Sequence, residues 1–63
     1  MPVVMVYMLP GRTDEQKRAL IKAMTDAMAD IAKAPRENTA VLINEIPKGD
    51  WALGGTLAAD LYK

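Results

Sequence analysis

Pro2 stands directly behind Met1, so removal of Met1 would turn its ring nitrogen into a secondary amine at the chain terminus. A small residue at position two permits that removal. An ordinary terminal amine titrates at about 7.7–8.0, and a general base works best with a pKa near the operating pH. Burial in an apolar pocket and a neighbouring cation both disfavour the protonated amine and bring it closer to that range. The chain offers few rivals for the role, since it contains no histidine and no cysteine. Asp14, Glu15, Asp26 and Glu37 read as helix caps or solvated faces. The plainer reading of Pro2 is that it opens a strand, where its missing N–H costs nothing. Trp51, the sole tryptophan, also has two readings: an interface anchor, for which tryptophan is enriched, or a wall of an apolar pocket.

The elements that must position these residues are readable from patterning. Residues 3–9 form a continuous apolar run, the signature of a strand buried on both faces as in a parallel sheet. Pro10-Gly11 breaks it. Thr13 then reads as a helix N-cap, with Gln16 at the reciprocal capping-box position and Asp14 and Glu15 at the positive end of the helix dipole. The helix is expected to run to Ala32 or Lys33, before Ala34-Pro35. Leu20, Met24, Ala27, Met28 and Ile31 share its apolar face, widened by Ile21 and Ala23, while Arg18, Lys22, Asp26 and Lys33 share the other. Thr39 to Ile46 reads as a second strand. Gly54-Gly55 permits a tight turn.

Strand, helix, strand in that order implies a right-handed βαβ unit with two parallel strands. The expected fold class is therefore α/β (α+β), a single domain over residues 1–63 with a short C-terminal hairpin. One helix covers one face of the sheet and leaves the other bare. Two strands are too few to be stable alone, and a chain of 63 residues buries only about 60% of its unfolded surface. Disulfides and thiolate or imidazole metal staples are excluded by composition. With 51% hydrophobic residues, a second copy of the chain is expected to supply the missing layer.

Eight basic and eight acidic residues cancel, which excludes the charge footprint of a nucleic-acid binder. No apolar run is long enough to span a membrane, and the first residues lack the charged start of a signal peptide. The expected location is cytoplasmic.

In its ordered motifs the chain resembles the 4-oxalocrotonate tautomerase family over nearly all its length. The motifs are Pro2 after the initiator, a first strand ending in Leu9, and Gly11-Arg12-Thr13-Asp14-Glu15-Gln16-Lys17. Ala34-Pro35, Asn44-Glu45, Lys48-Gly49 and Gly54-Gly55 follow. The resemblance implies a βαβ subunit in a hexamer built as a trimer of dimers, a mature chain beginning at Pro2, and catalysis without a cofactor. It implies Pro2 as the general base and Arg12 as the residue that binds a substrate carboxylate. Leu9, at the end of the first strand, would lend its backbone to the site, and Asn38 would lie near the substrate. Trp51 takes the place of an aromatic pocket residue.

One match fails. Well-studied members of that family carry a second active-site arginine, contributed by another subunit, at the position that is Ala40 here. Arg36, four residues upstream, is the candidate substitute, against the plainer reading of a solvated loop arginine. Haloacrylate-hydrating relatives need an arginine at the position of Leu9 and a glutamate at or near Leu53, so tautomerisation is expected ahead of dehalogenation. The resemblance thus implies an isomerase converting 2-hydroxydienoates or enols to 2-oxo acids. The alternatives are a subunit of a hetero-oligomer whose partner carries the missing arginine, or a decarboxylase or carbon–carbon bond-forming enzyme using Pro2, whose amine can also form an iminium.

Overall fold

In the computed structural model, which describes residues 1–63, β1 (Val3–Met8) and β2 (Ala40–Glu45) pair in parallel, Val3 opposite Ala40 and Met8 opposite Glu45. Helix α1 (Asp14–Asp30) connects them. β1 ends one residue before the apolar run does, and β2 is one residue shorter at each end than expected, yet the ladder continues past them. The Ala40 N–H donates to Pro2 C=O (3.0 Å) and the Ile46 N–H to Met8 C=O (2.8 Å). The missing N–H of Pro2 falls outside this ladder, which is why proline is tolerated there.

The start of α1 follows the expected capping box. The Gln16 N–H donates to Thr13 Oγ1 (3.1 Å), and the Thr13 N–H donates to Gln16 Oε1 (2.9 Å). Asp14 and Glu15 occupy the first turn. The helix ends two or three residues earlier than the sequence suggests. Lys33 adopts a left-handed conformation (φ 57°), and the Ala34 N–H reaches back to Met28 C=O (3.1 Å). Pro35 forbids the helix from passing it but does not say how many residues earlier the chain must turn. A 3-10 turn at Arg36–Asn38 then delivers the chain to β2.

Side chains alternate across the sheet. Val4, Val6 and Met8 face the helix side with Val41 and Ile43, and all are half-buried. Val3, Met5 and Tyr7 face the other way beside Ala40, Leu42 and Asn44. Val3, Met5, Tyr7 and Leu42 are each about half exposed, and Ala58 is the only fully buried residue in the chain. The bare face expected from the sequence is therefore present.

Beyond β2 a second 3-10 turn, Lys48–Asp50, leads to a hairpin of β3 (Ala52–Leu53) and β4 (Thr56–Leu57), followed by one helical turn, α2 (Ala58–Leu61). Gly54 and Gly55 form the two-residue connection with φ of 58° and 85°, the pair of positive φ values that matches hairpin twist. The tail reads as mixed in sequence but is tied down by one main-chain bond and one from a lysine side chain. The Ala58 N–H donates to Trp51 C=O (2.6 Å), and Lys48 Nζ donates to Tyr62 C=O (2.8 Å). No helix is long and apolar enough to cross a membrane.

A Cβ at Gly55 meets no neighbour, so its substitution tests backbone conformation alone. Gly55→Ala is expected to cost about 1–2 kcal/mol, read as a lowered midpoint in thermal or denaturant unfolding.

Candidate active site

The candidate residues fall into two groups at opposite ends of the sheet. Pro2 enters β1 at its start, and Arg36 and Asn38 lie in the 3-10 turn that enters β2 at the same end. Leu9 and Arg12 follow β1 at its far end. Six strand residues separate the groups, a span of about 20 Å, which exceeds the reach of an arginine side chain. One copy of the chain therefore does not bring Pro2 and Arg12 together. Trp51, half-buried, stands at the root of the hairpin.

At the Arg12 end there is a hollow of about 330 Å³ lined by Met8, Arg12, Gln16, Lys17 and Leu20. Met8 comes from the end of β1, Arg12 from the loop after Gly11, and the other three from the first two turns of α1. Gly11 has φ 126°, a conformation glycine adopts without a Cβ penalty, and it turns the chain immediately before Arg12. The capping box then fixes Thr13, so the arginine is held between two conformationally defined residues. Arg12 makes no ion pair within the chain. A guanidinium with its donors free, beside Met8 and Leu20, suits a carboxylate attached to a short apolar body.

Lys17 and Glu45 form an ion pair at this end of the sheet. The hydrogen bond from Lys17 to Glu45 holds the ammonium above its ordinary value, with burial opposing and the charges of Glu45 and Asp14 assisting. Neither residue stands out as a site residue from spacing. They are distant in sequence, and only the parallel register that puts Glu45 opposite Met8 brings them together.

Arg36 is not a free cation. Its guanidinium pairs with Asp26 Oδ1 (2.5 Å), while Lys22 Nζ donates to Asp26 Oδ2 (2.8 Å). Asp26 thus does more than decorate a solvated helix face, because it ties α1 to the turn before β2. The hydrogen bonds from Lys22 and Arg36 hold its carboxyl below its ordinary value of 3.8. The side chain of Asn38 is exposed. Ala40 puts a methyl group where the resemblance calls for an arginine. No group of three His, Cys, Asp or Glu side chains is placed to hold a metal ion.

The family model for the tautomerase enzymes matches residues 2–61. The chain belongs to the tautomerase family. It is 46% identical to the 2-hydroxymuconate tautomerase of Pseudomonas sp. (strain CF600) over 63 residues, the whole of both chains. Among solved structures it is similar to a 4-oxalocrotonate tautomerase isozyme from Methylibium petroleiphilum, with 44% identity, a TM-score of 0.90, and coverage of 98% of this chain and 100% of that one. It is also similar to a chain of the heterohexamer 4-oxalocrotonate tautomerase from Chloroflexus aurantiacus J-10-fl, at 34% identity and TM-score 0.89, covering 97% of this chain and 98% of that one. The expected βαβ subunit with its C-terminal hairpin is the tautomerase architecture, and the chain is an isomerase of the 4-oxalocrotonate tautomerase type.

A lowered carboxyl pKa stabilises the fold above the group's ordinary value, and that stabilisation is lost as pH falls through the folded value. Asp26→Asn is therefore expected to lower the melting temperature at neutral pH. Its difference from the wild-type chain should shrink below about pH 3.8, as measured by thermal unfolding between pH 2 and pH 7 (about five points suffice to define the trend).

Proposed function

We propose that this chain is a cofactor-independent tautomerase that converts 2-hydroxydienoates or enols to 2-oxo acids, with Pro2 as general base and Arg12 binding the substrate carboxylate. Family membership across residues 2–61, with a proline at the start of β1 and an unpaired arginine beside a hollow, is the observation that supports it most strongly.

With Met1 attached, the Pro2 nitrogen is an amide and has no basicity. Met1 is 93% exposed, so an aminopeptidase can reach it. After its removal, neutral Pro2 takes the enol O–H proton of the substrate. The O–H electron pair becomes the new C=O bond and the double bonds shift along the chain. The far carbon then accepts the proton from the prolinium. Proline ends neutral, and no redox partner is required. The guanidinium of Arg12 holds the carboxylate through paired hydrogen bonds and stabilises negative charge developing on oxygen. Trp51 walls the flat conjugated body from water.

Because Pro2 and Arg12 lie about 20 Å apart along one strand, the reading needs a second copy whose Arg12 end meets the Pro2 end of the first. Two β1 strands running antiparallel across a two-fold axis meet that requirement, since a two-fold interface places each surface against its own copy. The same pairing extends the sheet to four strands and leaves the face of Val3, Met5, Tyr7 and Leu42 to be covered by further copies. Assembly as a homohexamer, a trimer of dimers, is the proposed state.

Ala40 favours a second reading, in which the chain is one subunit type of a hetero-oligomer whose partner carries the missing cation. The similar Chloroflexus aurantiacus protein is a heterohexamer. The two readings differ in whether the purified single chain turns over substrate. In the first, Ala40 shifts preference from dicarboxylates toward monocarboxylic substrates.

Pro2→Ala is expected to lower the rate of 2-hydroxydienoate ketonisation by roughly 100-fold or more, within the usual worth of a general base, with the assembly unchanged in sedimentation. An unchanged rate would remove Pro2 from the mechanism. A chain that retains Met1, identified by intact mass, is expected to be inactive. Ala40→Arg is expected to raise kcat/KM for 2-hydroxymuconate relative to a monocarboxylic 2-hydroxydienoate. Loss of activity toward both would contradict the specificity role given to position 40.

A further inference from the structure

The hollow at the Arg12 end carries a charge that the proposed reaction has not used. Glu45, at the last position of β2, stands opposite Met8, a lining residue. Its carboxylate is paired with Lys17, which itself lines the hollow. Both side chains are partly shielded from water, with 27% and 32% of their surfaces exposed. Gln16 accepts the Thr13 N–H at its Oε1, which leaves its amide donors for a ligand. Asp14, in the first turn of α1, also acts on Lys17 and adds to the negative side.

An anion therefore stands beside a site that must admit an anion. Lys17 is the group that neutralises it. With Lys17 in place, Arg12 and Lys17 balance Glu45 and Asp14, and the two cations are the charged groups that line the hollow. Without it, two anions stand against Arg12 alone and the hollow loses its attraction.

We propose that Lys17 is a specificity-determining residue of this site, masking Glu45 so that the Arg12 hollow accepts a carboxylate. The proposal rests on the reading of Arg12 as the carboxylate-binding residue. It assigns Lys17 a role in binding and none in proton transfer, so its loss acts on KM and leaves kcat nearly intact. It also separates the two members of the pair. Removing Lys17 alone exposes the anion, removing both restores a neutral wall beside Arg12, and removing Glu45 alone frees a second cation. That second cation acts most strongly on a ligand with two carboxylates.

The test is equilibrium binding of hexanoate and hexanedioate to the assembled protein, followed by chemical-shift titration. The chains compared are wild type, K17M, E45Q and K17M/E45Q, with R12A as control and helix content checked by circular dichroism. K17M is expected to weaken hexanoate binding roughly tenfold, the scale of one unit charge at a partly shielded site. K17M/E45Q is expected to recover most of that loss, and E45Q to bind hexanedioate more tightly than wild type. A double variant as weak as K17M, or a K17M chain that binds as wild type does, would overturn the masking role. If R12A binds both ligands as wild type does, the carboxylate reading of the hollow itself fails, whatever Lys17 does.

Discussion

A two-stranded parallel sheet with apolar side chains on both faces, and one helix to cover it, is the constraint on which this molecule depends. The helix shields Val4, Val6, Met8, Val41 and Ile43, and leaves Val3, Met5, Tyr7 and Leu42 half exposed. With Ala58 alone fully buried, hydrophobic burial within one copy is too small to offset the conformational entropy of ordering 63 residues. Stability must come from surface shared between copies. The same geometry places the proposed base and the proposed carboxylate-binding group at opposite ends of one strand. Folding and catalysis thus have a common requirement, and association with further copies of the chain meets both.

Local interactions then hold each end of the strand in a defined shape. At the far end, Gly11 turns the chain and the Thr13–Gln16 capping box starts α1. The Lys17–Glu45 pair fastens that first turn to the end of β2. At the near end, Asp26 joins Lys22 and Arg36 and fastens the last part of the helix to the turn before β2. These pairs are partly exposed, and exposed pairs add little stability on their own. Their structural contribution is to join the helix to the sheet at each end.

The apolar run after Pro2, the Thr13-to-Gln16 cap, the run before Ile46 and the Gly54-Gly55 pair made the elements and their order legible in the sequence, because each is a local signal. The end of α1 was less legible, since Pro35 sets only an outer limit and the turn at Lys33 is made by a residue with no special preference for it. The partners of Asp26, Arg36, Lys17 and Glu45 were not legible. They depend on parallel register and on helix rotation, which no short-range spacing encodes. Arg36, a candidate for replacing the cation missing at Ala40, has its guanidinium directed to Asp26 on α1, and that contact is visible only in three dimensions.

The central claim is that Pro2 of one copy acts with Arg12 of another. Subunit complementation tests it most directly. Pro2→Ala and Arg12→Ala chains, each nearly inactive alone, would be unfolded together, refolded as a mixture and assayed for ketonisation of a 2-hydroxydienoate. Recovery of about a quarter of the wild-type rate is the predicted result, the share given by random pairing across a two-fold interface. A co-assembled mixture no more active than its two components would contradict the account, because it would mean that both residues serve the same site from the same chain.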